Sequence, residues 1–391
     1  MGKIKILHII TRLDRGGSSF GVLRNLFKLR KDRFDFTLMF GPSLEPDKEM
    51  IESVRKTGIK FILNPYLVRA LSPVKDFLAL LKIFFLIKNE KFDIIHTHTS
   101  KAGILGRLAA KLATTGRYRP IKIHTPHGHV FYGYYGFFLS KLFLIVEKWA
   151  AGFTDKIVAL TERGIQEHIE LGVSKEKSKF TSILEGVDLN KIANLKTDTV
   201  EKKKELGLPE GVKLIGSAGR LEHIKGYRYF IEGIPTVRKY FPDYIFLLIG
   251  DGSLRDELQH RIDSLGLQQN CRILGWRKDV DEIISILDIF VLTSLNEGMG
   301  QVLIEAMMLE KPVVATNVGG IPSVVIDGET GILVPSKSPG ALAEAIISLL
   351  NNPERMKNMG IAGKERAKLF SVEVMVEKTE KLYEELLESH G

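Results

Sequence analysis

Two carboxylates eight positions apart, Glu297 and Glu305, flank the glycine-broken stretch Gly298-Met299-Gly300-Gln301. Upstream of Glu297 lies a short buried-strand pattern at 289–292, and Gln301 and Glu305, four apart, share one face of a helix that opens there. The segment therefore reads as strand, loop, helix. In an α/β protein, ligands sit at the carboxyl ends of strands, and the first free N–H groups of the following helix, about Met299 to Gln301, can hold an anion. A carboxylate is a poor neighbour for a phosphate but a good acceptor for paired hydroxyls, so the stretch suits a ligand that has both, a sugar nucleotide. A second loop carries Arg220 and Lys225 just after the strand pattern 213–218. A guanidinium forks onto oxygens and an ammonium acts as a point charge, so the two together suit a diphosphate; either alone reads as a surface charge.

A third group is histidine-rich: His96, His98, His124, His127 and His129 are five of the chain's ten histidines. Zinc is conceivable at such spacings, but no cysteine or carboxylate accompanies them, and no metal is expected. The reading preferred is that the pairs 96/98 and 127/129 lie at strand ends facing one cleft, donating hydrogen bonds to sugar hydroxyls or phosphate, with Thr99-Ser100-Lys101 at the next helix start. Residues 131–138 then hold six aromatics, followed by an apolar run at 139–146. Such a stripe reads equally as core or as a surface for a lipid-linked acceptor or a membrane.

The elements that must position these groups follow from periodicity. Strands are expected at 4–10, 34–39, 60–63, 92–96, 121–124, 156–160 and 181–184, and again at 213–218, 244–249, 272–274, 289–292, 313–316 and 332–334. Helical or loop stretches separate them, which predicts parallel sheets with crossovers in two α/β halves. Gly16 and Gly17 follow the first strand and let backbone approach a ligand. No G-x-G-x-x-G follows that strand, which disfavours a nicotinamide or flavin cofactor. The run 77–87 is too short and, with Lys82, too charged to span a bilayer, and reads as a crossover helix. Residues 375–387 repeat at helical spacing, predicting an amphipathic terminal helix.

At 391 residues, the chain suits two domains. Its net charge of +9 is uneven: residues 1–195 hold 32 Lys and Arg against 18 Asp and Glu, the rest 24 against 29. A basic half can meet an anionic membrane face, a phosphorylated acceptor or nucleic acid; no recognisable nucleic-acid motif accompanies it, and nucleic acid is not expected. One cysteine, Cys271, permits no internal disulfide, and residues 3–10 are too short and charged for a secretory signal, so a cytoplasmic setting is expected.

The ordered set Gly219-Arg220-Leu221 with Lys225-Gly226, Gly250-Asp251-Gly252, Glu297-Gly298 with Glu305-Ala306-Met307, Lys311-Pro312-Val313, Val318-Gly319-Gly320-Ile321-Pro322 and Asp327-Gly328 with Thr330-Gly331 resembles the family 4 glycosyltransferases. Thr97 to Gly103 and His124 to Gly128 further resemble its bacterial surface-polysaccharide branch. The resemblance implies the GT-B fold: two Rossmann-like parallel-sheet domains facing across a cleft, residues 1–187 plus 371–391 and residues 188–370, with the C-terminal helix crossing back to the first. It implies a retaining transfer of a hexose from a nucleoside diphosphate sugar, most simply a UDP-sugar, to a lipid-linked or saccharide acceptor, without metal or other cofactor. Arg220 and Lys225 would bind the diphosphate, Glu297 the donor-sugar hydroxyls and Glu305 the ribose diol. Gly298, Met299, Gly300 and Gln301 would form the phosphate loop, and Trp276 and Arg277 would meet the base. Gly16 and Gly17 would approach the diphosphate from the first domain, and His127 would touch the sugar at the reaction centre. Two positions depart from the family pattern: Glu185 replaces a frequent Asn before Gly-Val-Asp, and Met299-Gly300 replaces an aromatic-Pro pair. The other functions weighed are a sugar-nucleotide epimerase or hydrolase on the same scaffold and a non-catalytic nucleotide-binding subunit.

Overall fold

The computed structural model describes residues 2–14, 17–43, 46, 48–127 and 137–390. Gly16, His129 and most of the aromatic segment 131–138 lie outside these. The described chain divides into two compact units, Met1–Gly186 with Val372–Gly391, and Val187–Ser371.

The first unit is built on seven strands: β1 Ile4–Ile10, β2 Phe34–Phe40, β3 Lys60–Leu63, β4 Ile94–His98, β5 Ile121–Thr125, β6 Lys156–Ala159 and β7 Phe180–Ser182. Their order is β3-β2-β1-β4-β5-β6-β7, and every pairing is parallel. Helices on both faces are why the strands read as nearly unbroken apolar runs such as Ile-Lys-Ile-Leu-His-Ile-Ile. β4 begins two residues later than its hydrophobicity suggests. Asp93 is spent on the β1 edge, where its carboxylate accepts the Lys5 N–H at 2.8 Å, and the strand runs on through His98.

The second unit carries β8 Lys213–Ala218, β9 Tyr244–Ile249, β10 Cys271–Ile273, β11 Ile289–Leu292, β12 Val313–Thr316 and β13 Gly331–Val334, ordered β10-β9-β8-β11-β12-β13 and again all parallel. In both sheets the winding direction reverses once, between β1 and β4 and between β8 and β11. A crevice opens at such a reversal, because the crossovers leave in opposite directions.

The C-terminal helix Val372–His390 belongs to the first unit. Its Met375, Leu382, Tyr383 and Leu386 join the core of Ile6, Ile10, Leu26 and Phe34. Each such apolar side chain contributes about 1.5–3 kcal/mol by leaving water, enough together to hold a helix that would be marginal alone. Polar ties fix its register against the helix Gly17–Lys28 and the chain just after it: Asn25 Nδ2 donates to Thr379 Oγ1 at 3.2 Å and the Arg30 N–H to Glu380 at 2.8 Å.

The helix Pro73–Glu90 covers the run read as a crossover. Among the described residues, no helix is long and apolar enough to cross a membrane. The helix Phe137–Ala151 is tied down by a buried ion pair, Arg107 to Glu147 at 2.7 and 2.8 Å, with Thr154 Oγ1 also accepting from Arg107. Burial alone would raise the Glu147 pKa, but the Arg107 guanidinium outweighs it and holds it at about 2.

Candidate active site

In the second unit the loops after β8 and β11 leave adjacent parallel strands at the reversal point and bring Lys225 against Glu297. After β8 the chain makes a single 3-10 turn, His223–Lys225. After β11, residues 293–300 run to the helix Gln301–Met308. The loops are stitched together: the Leu295 N–H donates to the Ile224 carbonyl at 2.7 Å, and Thr293 Oγ1 to the Lys225 carbonyl at 3.1 Å. Lys225 Nζ thereby meets Glu297 Oε2 at 2.5 Å, and Ser294 Oγ donates to the same oxygen at 3.0 Å. Ser294 was not singled out in the sequence; its place three residues before Glu297 is the only signal it gives.

The Glu297 backbone is pinned as well. Its carbonyl accepts the Gly320 N–H at 2.9 Å, and a Cβ on Gly319 would stand 2.0 Å from that oxygen, so only glycine lets the loop after β12 approach this closely. Gly300 caps the helix Gln301–Met308 with φ +77°, a left-handed conformation closed to proline and costly for other residues. The Met299-Gly300 pair is thus a buried methionine next to a left-handed cap. Among the described residues no side chain caps this helix start, and the Leu303 N–H turns back to the Gly300 carbonyl at 2.8 Å. Gln301 and Glu305 are half-buried on the helix, one turn apart.

Arg220 follows β8, is mostly exposed, and pairs with Glu222 at 3.3 Å. Trp276 is half exposed in the loop after β10, but the Arg277 guanidinium beside it is engaged elsewhere: it bonds Asp279 at 2.6 and 2.8 Å and Glu205 at 2.5 Å. Those carboxylates, Asp279 first, raise its pKa still further, and Arg277 in turn holds Asp279 at about 2. Arg277 therefore braces the Trp276 loop in this structure.

In the first unit Gly17 starts the helix Gly17–Lys28. His127 follows β5 with φ +56°, strained for a residue other than glycine. Both its ring nitrogens are used: Nδ1 meets Glu185 Oε1 at 2.6 Å and Nε2 meets His98 Nδ1 at 2.9 Å. The expectation that His96 and His98 offer free donors at a cleft is corrected here. His98 does end β4, but both are buried and bond to protein: His96 to Tyr383 and Thr125, His98 to His8 and His127. Residues two apart on a strand share a face, and here that face also carries His8 of the neighbouring β1 and is met by Tyr383 of the C-terminal helix. His124 is likewise buried, against Thr97. His8 and Glu185 had no assigned role in the sequence, although Glu185 stood out as a departure from the family pattern. Ligand atoms of His8, His96 and His98 lie within 4.8 Å of one another.

Residues 198–366 match the family described as Glycosyl transferases group 1, and residues 15–191 match Glycosyltransferase Family 4. A UDP-Gal:alpha-D-GlcNAc-diphosphoundecaprenol alpha-1,3-galactosyltransferase of Escherichia coli is 31% identical over 90% of this chain and 89% of its own. The capsular polysaccharide biosynthesis glycosyltransferase CapM of Staphylococcus aureus is 31% identical over 83% and 85%. The crystal structure of Anabaena HepE in complex with UDP superposes with a TM-score of 0.81 at 21% identity, over 98% of this chain and all of that one, which gives both units the GT-B fold.

Proposed function

Since the chain belongs to the family 4 glycosyltransferases, we propose that it transfers a hexose, with retention, from a UDP-sugar to a lipid-linked saccharide in the synthesis of a surface polysaccharide. The observation that carries this reading is the Lys225–Glu297 pair at the β8/β11 reversal, where one cation and one acceptor stand side by side. A diphosphate sugar presents the matching pair, an anion linked to a ring of hydroxyls. UDP as the donor nucleotide and a diphospholipid as the acceptor carrier are supported by the names of the Escherichia coli relative and by the UDP complex of the structural neighbour.

In this reading Arg220 and Lys225 hold the diphosphate and stabilise the charge that grows on it as the anomeric C–O bond breaks. Glu297, freed from part of its bond to Lys225, accepts from donor-sugar hydroxyls, Glu305 accepts from the ribose diol, and the N–H groups at Met299, Gly300 and Gln301 meet phosphate oxygens. Trp276 stacks on the base over the loop that Arg277 braces. Gly16 and Gly17 line the diphosphate, and His127 borders the transferred sugar. The acceptor oxygen attacks on the face the phosphate leaves, the bond electrons go to the departing phosphate oxygen, and that phosphate takes the acceptor's proton. No metal or cofactor enters, because the two cations do the work of a metal. Association with an anionic membrane is supported by the helix Phe137–Ala151, whose Leu142, Ile145 and Trp149 share one exposed face, with Lys148 and Lys111 close by.

The test is a panel of UDP-, GDP- and ADP-sugars, scored by thermal stabilisation and then by transfer to a synthetic polyprenyl-diphosphate N-acetylhexosamine in EDTA. A UDP-hexose at about 100 times its Kd should stabilise the fold by about 2.7 kcal/mol. An α-anomeric product from an α-linked donor supports the reading. Conversion of the donor to another sugar nucleotide without acceptor would show an epimerase and end it.

A further inference from the structure

Six hydrogen bonds join in a single line through the first unit. From one end, Glu185 Oε1 meets His127 Nδ1 at 2.6 Å, His127 Nε2 meets His98 Nδ1 at 2.9 Å, and His98 Nε2 meets His8 Nδ1 at 2.9 Å. His8 Nε2 then meets the Tyr383 hydroxyl at 3.3 Å, that hydroxyl meets His96 Nδ1 at 2.7 Å, and His96 Nε2 meets Thr125 Oγ1 at 2.8 Å. The strand register assembles the middle of it: His8 faces His96 across β1 and β4, and His98 is two residues further on. His8, His96, His98 and Tyr383 are all buried.

A carboxylate only accepts, and a neutral imidazole has one donor and one acceptor nitrogen. With neutral rings and Glu185 accepting from His127 Nδ1–H, His127 Nε2 accepts from His98 Nδ1–H, and His98 Nε2 from His8 Nδ1–H. The Tyr383 hydroxyl then donates to His8 Nε2 and accepts from His96 Nδ1–H, and Thr125 donates to His96 Nε2. All four rings take the Nδ1–H tautomer and every bond points toward Glu185, which leaves no nitrogen unsatisfied. Burial suits this arrangement: it lowers the pKa of His8 to about 3, lowers those of His96 and His98 well below the usual value, and keeps the Tyr383 phenol protonated.

We propose that Glu185 is a positioning residue for the transfer reaction: by its direct bond to Nδ1 it fixes the tautomer and ring orientation of His127, the other histidines follow in turn, and Tyr383 anchors the series to the C-terminal helix. The proposal rests on the reading that His127 borders the reaction centre. It gives the departure at Glu185 a purpose, because asparagine is a methylene shorter and its amide both donates and accepts, so it sets no direction. The helix Gly17–Lys28 leaves room for it: a Cβ on Gly21 would press on the Glu185 carboxyl group at 3.2 Å.

The test is histidine-selective 15N labelling of the full chain, with ring tautomers read from long-range proton–nitrogen correlations, together with steady-state kinetics. Expected for the wild type are four Nδ1–H rings. In Tyr383→Phe, His8 and His96 should lose their single tautomer while His127 keeps its own. In Glu185→Gln all should become mixed, and kcat should fall about tenfold or more with the donor KM within about twofold, the mark of lost orientation without lost donor binding. An Nε2–H tautomer at His98 or His8 in the wild type overturns the proposal. So does one bound transition metal per chain at these histidines, or a Glu185→Gln enzyme with wild-type kcat. If Glu185→Gln does not fold, the wild-type and Tyr383→Phe spectra still decide. If no sugar nucleotide is turned over at all, the functional reading fails while the tautomer result stands.

Discussion

Lys225→Ala gives the most direct check on the donor site. A unit charge about 4 Å from a phosphate oxygen at an effective dielectric near 20 is worth about 4 kcal/mol, and loss of one such preorganised donor in other enzymes costs about 10²–10³ in kcat. The Lys225 side chain is 23% exposed, so solvent screens part of that, and the lower end, about 10²-fold, is expected. The fold should hardly notice, because a partly exposed ion pair contributes at most about 1 kcal/mol. A second consequence comes from the 2.5 Å contact with Glu297. Removing the lysine leaves that carboxylate beside the donor diphosphate with its Ser294 hydrogen bond but without its neighbouring cation, so repulsion adds to the lost attraction. Lys225→Ala combined with Glu297→Gln should therefore be less damaging than the two single changes multiplied, by about 0.5–3 kcal/mol of coupling. The assay is initial-rate transfer with kcat and KM separated, alongside calorimetric Tm for each variant. A Lys225→Ala enzyme with kcat within about threefold of wild type and an unchanged Tm would refute the assignment of Lys225 to the departing diphosphate.

Gly319→Ala should yield a soluble protein of lower Tm with sharply reduced kcat, because its Cβ would sit 2.0 Å from the Glu297 carbonyl and must move that loop; unchanged kinetics would show that Glu297 is not held by this contact. Stability should fall as pH drops from about 6.5 toward 3, since His8 and His124 have folded pKa values lowered to about 3 and His96 and His98 are lowered too, so the unfolded chain binds protons first. Glu147, held at about 2, adds a loss below about pH 4.5, and urea midpoints that stay flat from pH 7 to 4.5 would refute the buried-histidine part. Replacing Leu142, Ile145 and Trp149 together with serine should abolish sedimentation with anionic vesicles while soluble-acceptor transfer persists; retained vesicle binding would move the membrane contact elsewhere.

The strands and the loops that bear Lys225 and Glu297 were legible in the sequence, because a buried parallel strand is a short apolar run and its end is marked by the first polar and glycine residues. Residue type and loop position were enough to infer an anion-and-hydroxyl ligand. The partners were not legible. Which nitrogen of His127 meets what depends on Glu185, 58 residues away, and the Tyr383 contact with His96 spans 287. Parallel crossovers join strands that are distant in sequence, and the His8–His96 pairing is fixed only when β1 and β4 settle into register. For the same reason His96 and His98, which look like ligands at a strand end, are interior groups: alternation along β4 was visible, but which face the C-terminal helix would cover was not. Arg277 shows this in the second unit, where a cation that the sequence suggests for the base is claimed by Asp279 and Glu205. Local pattern determined where the charged side chains stand, and tertiary pairing alone decided which of them remain available to a ligand.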